Sequence, residues 1–155
     1  MKLYLAGPDV FRPDASQWAA QSPALCAAAG HQALVPLEEG LSAADAIYRN
    51  NLRLLAEADA VLANLNPFRG AEPDSGTCVE IGYALALGKP IIGYAADLRP
   101  LRERLHAQTG GDGCCRDAQG LAVEDFGLPL NLMLAVPVQL VQGGLADALR
   151  KLADA

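Results

Sequence analysis

The stretch GAEPDSGTCVEIGYALALGKP, residues 70–90, sets Asp74 and Glu80 six positions apart at the front of a run that otherwise reads as a buried helix. Val79 and Ile81 flank Glu80 with apolar side chains, and Gly88 stops the run. Burying an ionised carboxylate is costly, so a glutamate in this position needs a reason. In a helix that starts near Gly76, Glu80 falls in the first turn or just past it, with Tyr83, Ala84 and Leu87 on its face at +3, +4 and +7. The helix macrodipole favours a negative charge there by roughly 0.3–1 kcal/mol, which is expected to keep the carboxylate ionised even when partly dry. Such a group is a suitable nucleophile for a glycosidic carbon, because it can stabilise an oxocarbenium-like centre and then trap it covalently. Asp74 can supply the complementary proton chemistry if its surroundings raise its pKa. The competing reading is plain helix capping by Asp74 or Ser75. Glu80 lies beyond the N3 position of a capping box with either cap, so capping does not account for it.

Other residues invite the same double reading. Tyr4 lies on a strand and is either a core aromatic with a satisfied hydroxyl or a site residue. Gly7 permits close approach of a ligand or of neighbouring chain to the backbone. The loop YLAGPDVF lacks the GxGxxG spacing of a dinucleotide fingerprint, and Pro8 stands where a helix-opening glycine is expected. Asn131, among Leu128, Leu130, Leu132 and Leu134, must find hydrogen bonds, by capping the turn after Pro129 or by holding a ligand hydroxyl. Arg69 either binds an anion or pairs with Glu72. His31 and His106 have no evident Ser or Cys partner in the sequence.

These residues must be positioned by the elements around them. Short apolar runs predict strands at 2–6, 31–36, 59–65, 90–95 and 136–141. Helical patterns predict 14–30 with Asp14 as N-cap, Gly30 as stop and a kink or break at Pro23. Further helices are predicted at 42–58 with Ser42 as N-cap, at 76–88, briefly near 98–107, and at 143–155, with 107–120 an unassigned loop. Strands alternating with helices imply right-handed crossovers and a five-stranded parallel sheet with helices on both faces, an α/β domain spanning 1–155. Ligands in such folds bind outside the carboxyl ends of the strands, which selects the loops 7–13, 36–41 and 65–76 and the region after the fourth strand.

Composition bounds the function. The formal charge of -6 argues against nucleic-acid binding, which needs a basic face. No apolar run approaches the roughly 20 residues of a membrane span, and no secretory leader is legible in MKLYLAGPDVF. Cys26, Cys78, Cys114 and Cys115 lack the spacing and histidine partner of a zinc site, so no metal is expected and a reduced, cytoplasmic protein is. Hydrophobic residues make up 52% of the chain and charged residues 19%, an apolar excess that points to cover by other subunits.

LYLAGPDVFRPDA, NPFRGAEPDSGTCVEIGYALALGKP and FGLPLNLML, in that order and at these intervals, resemble the nucleoside 2-deoxyribosyltransferase family over residues 1–141. The resemblance implies a flavodoxin-like fold and transfer of 2-deoxyribose between nucleobases of small-molecule nucleosides, without a cofactor. It implies a glycosyl–enzyme intermediate and retention at C1′. It assigns the nucleophile to Glu80, protonation of the leaving base to Asp74 and orientation of the nucleophile to Tyr4. It assigns the sugar 5′-hydroxyl to Asn131, acting in a neighbouring subunit's site, and so implies a homo-oligomer, dimer or hexamer. Some members have an aspartate near the sugar where this chain offers Asn51, which can still hydrogen-bond a hydroxyl. Phe11 and Phe68 are candidate walls for the base, and Ser75 and Arg69 are the loop candidates for anion contacts at the 5′ end that a monophosphate substrate would need. Two rival readings are hydrolysis of a 2′-deoxynucleoside 5′-monophosphate by the same glutamate, and a non-catalytic nucleoside sensor.

Overall fold

The computed structural model describes residues 1–37, 40 and 42–154. Five parallel strands, β1 (Lys2–Ala6), β2 (Gln32–Leu34), β3 (Ala60–Asn64), β4 (Ile91–Ala95) and β7 (Gln139–Gln142), form one sheet in the order β2-β1-β3-β4-β7. A separate antiparallel pair joins β5 (Gln108–Thr109) to β6 (Cys115–Arg116). The helices are α1 (Ala15–Ala28), α2 (Ala44–Glu57), α3 (Ser75–Ala86), α4 (Leu101–Arg104), α5 (Leu132–Ala135) and α6 (Leu145–Ala153), with a 3-10 turn at Pro8–Phe11. The order is that of a flavodoxin-like sheet, whose direction of winding reverses between β1 and β3.

Strands covered on both faces read as nearly continuous apolar runs, and β3 and β4 do so. Their alternating side chains feed two separate cores. Tyr4, Ala6, Val61, Ala63 and Ile91 pack on one face with Leu55 of α2, Ile81 and Ala84 of α3 and Leu134 of α5. Leu3, Leu5, Leu62, Ile92 and Tyr94 pack on the other with Cys26 of α1 and Ala148 and Leu149 of α6. The register pairs Tyr4 with Val61 and Leu5 with Leu62, which places Tyr4 on the α2–α3 side.

Four element boundaries differ from the sequence expectation. The last strand begins at Gln139 rather than 136, because Asn131 caps α5 and the Val138 N–H still donates back to the Leu134 carbonyl. Pro23 neither breaks nor ends α1, whose Ser22 and Cys26 stay buried on the sheet. Ser42 is not the cap of α2, which starts at Ala44 after Ala43 without a side-chain cap bond. The segment 98–107 holds only the single turn α4, entered from Pro100. Positions 38, 39 and 41 of the expected 36–41 loop, and position 155 of the last helix, lie outside the described residues.

Gly93 sits where β4 meets its neighbours most closely. A Cβ built there would lie 2.4 Å from Leu65 Cδ1, 2.9 Å from Val138 Cγ1 and 3.0 Å from Leu140 Cδ2. Overpacking of this kind costs about 1–3 kcal/mol. Gly93→Ala is therefore expected to lower the melting temperature by several degrees, about 2–4 °C per kcal/mol for a chain of this size. An unchanged thermal melt would show that these side chains yield freely.

Candidate active site

The site is assembled at the carboxyl end of β1 and from the helices beside it. At Gly7, with φ of 155°, the chain turns out of the strand and enters the Pro8–Phe11 turn. A Cβ at Gly7 would stand 2.7 Å from the Cβ of Asn64, so only glycine lets β1 and β3 end side by side here. Asp9, 4% exposed, accepts a hydrogen bond from Asn64 Nδ2 at 2.8 Å. Asn64 Oδ1 accepts from Asn66 N and Nδ2, and Asn66 Oδ1 accepts from Ala96 N at 2.9 Å. The network ties the ends of β1, β3 and β4 into one rigid edge, from which Val10 and Phe11 face a cavity of about 340 Å³.

The opposite wall is α3. Asp74 is its N-cap, and Oδ2 accepts from Thr77 N at 3.0 Å and from Thr77 Oγ1 at 3.2 Å. Asp74, Thr77 and Glu80 follow one another at three-residue steps, so all three line the cavity. Glu80 lies in the second turn, and Tyr4 rises from the core beneath it, donating its hydroxyl to Oε1 at 2.5 Å. Asn51 Nδ2 of α2 approaches the same oxygen at 3.5 Å. Among the described residues no donor reaches Oε2. Ile47, Asn50 and Asn51 present one face of α2, and Pro36 and Leu37 complete the wall from the loop after β2.

The electrostatics depart from the sequence expectation. Burial pushes Glu80 up from an ordinary 4.5 to about 7; the Tyr4 hydrogen bond draws it down, the charge of Asp74 pushes it up and the Asn51 bond draws it down. The helix start does not keep this carboxylate in the usual acidic range, because the largely apolar walls desolvate it and the first turn has already been passed. Tyr4 is driven strongly upward by burial, then by the charge of Glu80 and their hydrogen bond, so it remains a donor.

Tyr4, Gly7, Phe11, Asn51, Asp74 and Glu80 thus come together, Tyr4 from below and the others along the cavity. Three other candidates do not join them. Ser75 is exposed at the start of α3, outside the cavity wall, because the helix turns it away from Asp74 and Thr77. Phe68 stands behind Phe11, with ring centroids 5.4 Å apart and planes 22° apart, so it braces that wall instead of forming it. Asn131 lies in a second groove of about 490 Å³ with Glu72, Cys78, Ile81 and Met133. There it caps α5, accepting from Met133 N, and donates to Glu124 Oε1, each at 3.0 Å. Arg69 lies over the Phe68 and Phe11 rings, at 4.7 and 5.4 Å, instead of pairing with Glu72.

Thr77, Asn50, Ile47 and Leu37 were not singled out from sequence. Thr77 stands three residues from both Asp74 and Glu80, and Ile47 stands three and four residues before Asn50 and Asn51. No lysine, arginine or histidine lines the cavity among the described residues.

A profile of the nucleoside 2-deoxyribosyltransferase family matches residues 3–133. An uncharacterized protein of Schizosaccharomyces pombe is 32% identical, over 84% of this chain and 74% of its own. The solved 2-desoxiribosyltransferase from Leishmania mexicana superposes with a TM-score of 0.84 at 35% identity, covering 99% of this chain and 97% of that one. A CMP N-glycosidase of Clostridium botulinum superposes over 100% of both chains with a TM-score of 0.55 at 17% identity, a likeness of fold alone. Among the described residues no helix is long and apolar enough to cross a membrane. By profile, sequence and superposition together, the chain belongs to the nucleoside 2-deoxyribosyltransferase family and is an enzyme.

Proposed function

We propose that this enzyme transfers 2-deoxyribose from a 2′-deoxynucleoside to a free nucleobase through a covalent intermediate on Glu80, with retention at C1′. The observation that carries this reading is the Glu80 carboxylate, held at Oε1 by Tyr4 with no donor at Oε2 among the described residues, in one cavity with Asp74.

In the first half-reaction a Glu80 oxygen bonds to C1′ as the glycosidic C–N bond breaks. The bonding pair leaves with the base, and a base nitrogen takes up a proton handed on through the Asp74 carboxyl. In the second half the acceptor base attacks C1′ with a nitrogen lone pair, returns a proton to Asp74 and breaks the sugar–Glu80 ester. Two inversions give retention. Phe11, braced by Phe68 and Arg69, offers an apolar face to the base.

Among the described residues the wall holds two carboxylates and no cation, which favours a neutral nucleoside over a 5′-monophosphate, whose charge would meet Asp74 and Glu80. Asn131 stands outside its own chain's cavity beside Met133, which is 71% exposed, and is suited to complete the cavity of a second copy.

Incubated with deoxyadenosine and cytosine, the enzyme is expected to form deoxycytidine, and with donor alone to gain the mass of one deoxyribosyl group. Glu80→Gln should lose transfer by roughly 10³-fold or more and lose that adduct while keeping its fold. Wild-type turnover in this variant would remove Glu80 from the role, and faster base release from a deoxynucleoside monophosphate than from the nucleoside would favour the hydrolase.

Glu80 must be ionised to attack, so transfer should rise with pH through about 7 and fall on the acid side. Stability runs the other way. A carboxyl whose folded-state pKa exceeds its unfolded value favours folding fully below about pH 4.5, and that advantage is lost as pH climbs through 7. Glu80→Gln, which cannot ionise, is therefore expected to melt above wild type at pH 8. The shift corresponds to at most about 3 kcal/mol, less what solvent at the half-buried carboxylate screens. The gap should close below pH 5, and equal melting curves at pH 8 would contradict the raised pKa.

A further inference from the structure

The two donors to Glu80 converge on a single oxygen. Tyr4 reaches Oε1 from β1 beneath the cavity, and Asn51 Nδ2 reaches the same atom from α2 across it, at 2.5 and 3.5 Å. We propose that Asn51 is a positioning residue for the nucleophile instead of a ligand for a sugar hydroxyl: with Tyr4 it fixes Oε1 and leaves Oε2 as the oxygen that bonds to C1′. This rests on the reading of Glu80 as nucleophile.

The geometry favours this role in three respects. An ionised carboxylate only accepts hydrogen bonds, so an amide facing it must turn its NH2 group toward it, which aims Nδ2 at Oε1 and engages one of its two N–H groups there. The helix that carries Asn51 is anchored. Leu55 is fully buried, and Leu52 and Leu54 pack against the same core. On the outer side Arg53 donates to Asn50 Oδ1 and to Glu57 Oε1, each at 2.7 Å. Last, an amide adds a donor without adding charge. The groups that act on the Glu80 charge are Tyr4 from β1 and Asp74 from the head of α3, with neutral Asn51 from α2. An aspartate at position 51 would put a third carboxylate into a cavity whose described walls hold no cation. The contact is long at 3.5 Å, as catalytic hydrogen bonds in unliganded sites often are.

The test is a titration of Glu80 by carbon-13 NMR in glutamate-labelled enzyme, the resonance identified by its loss in Glu80→Gln, for wild type, Asn51→Leu and Asn51→Asp. Donor kcat and KM are measured against pH on the same samples. Asn51→Leu should raise the titration midpoint by about half a pH unit, and Asn51→Asp by about one unit or more. The acid limb of kcat should move with the midpoint while KM for the donor stays within about twofold. A midpoint that is the same in Asn51→Leu and wild type overturns the proposal. So does a KM increase of about tenfold with kcat and its pH limb unmoved, which would make Asn51 a sugar ligand. Should Asn51→Leu fail to fold, Asn51→Ala takes its place, because it too removes the donor to Oε1 without adding charge, and an unmoved midpoint there overturns the proposal. The NMR readout needs no turnover. Shifted midpoints in an enzyme that forms no deoxyribosyl adduct would uphold the contact and reject the transferase reading instead.

Discussion

The hydrogen bond from the Tyr4 hydroxyl to Glu80 Oε1 is the contact on which the site depends. A carboxylate set among Leu37, Ile47, Val10 and Phe11 loses much of its hydration, and its pKa rises in consequence. The tyrosine offsets part of that cost and decides which oxygen remains open. It can do so because its own phenol is sealed in the core and cannot ionise near neutrality. A carboxyl poised near 7 is present in both its charged and its neutral form around neutral pH.

That contact requires β1 and α3 to hold a fixed relation. The register that pairs Tyr4 with Val61 turns its side chain to the face covered by α2 and α3. Asp74 fixes where α3 begins by accepting from Thr77 N, and the three-residue steps carry the helix face on to Glu80. Both Thr77 bonds converge on Asp74 Oδ2, so the capping reading holds for this side chain without engaging Oδ1. The Asp9–Asn64–Asn66 network keeps the strand ends from splaying, and Gly7 leaves no side chain between them.

The groove on the far side of α3 follows the same economy. Asn131 opens α5, and Arg104 reaches the carbonyls of Ala71 and Pro129, joining the segment before Asp74 to the segment before Asn131. Two stretches that looked unrelated in sequence are thereby one surface. Met133, exposed to 71%, lines it beside Ile81, Leu85 and Leu134, in keeping with the apolar excess of the composition.

Local rules determined a good part of this from sequence alone. Strands β1, β3 and β4, the stop of α3 at Gly88, the cap at Asp74 and the anomaly of Glu80 all follow from spacing, apolar period and turn chemistry within a few residues. The tertiary structure decided the rest. Tyr4 and Glu80 are 76 positions apart, and nothing local to either says that they touch. The pKa of Glu80 is a sum over β1, α2 and α3, and near the helix start the desolvation by those elements outweighs the weak macrodipole that sequence reasoning relied on. Ser75 stands between the cavity residues Asp74 and Gly76 along the chain, yet helix phase sets it aside, and ring stacking puts Phe68 behind Phe11. Short-range hydrogen bonds and periodicity are written into neighbouring residues; dehydration and convergent donors exist only once distant segments pack together.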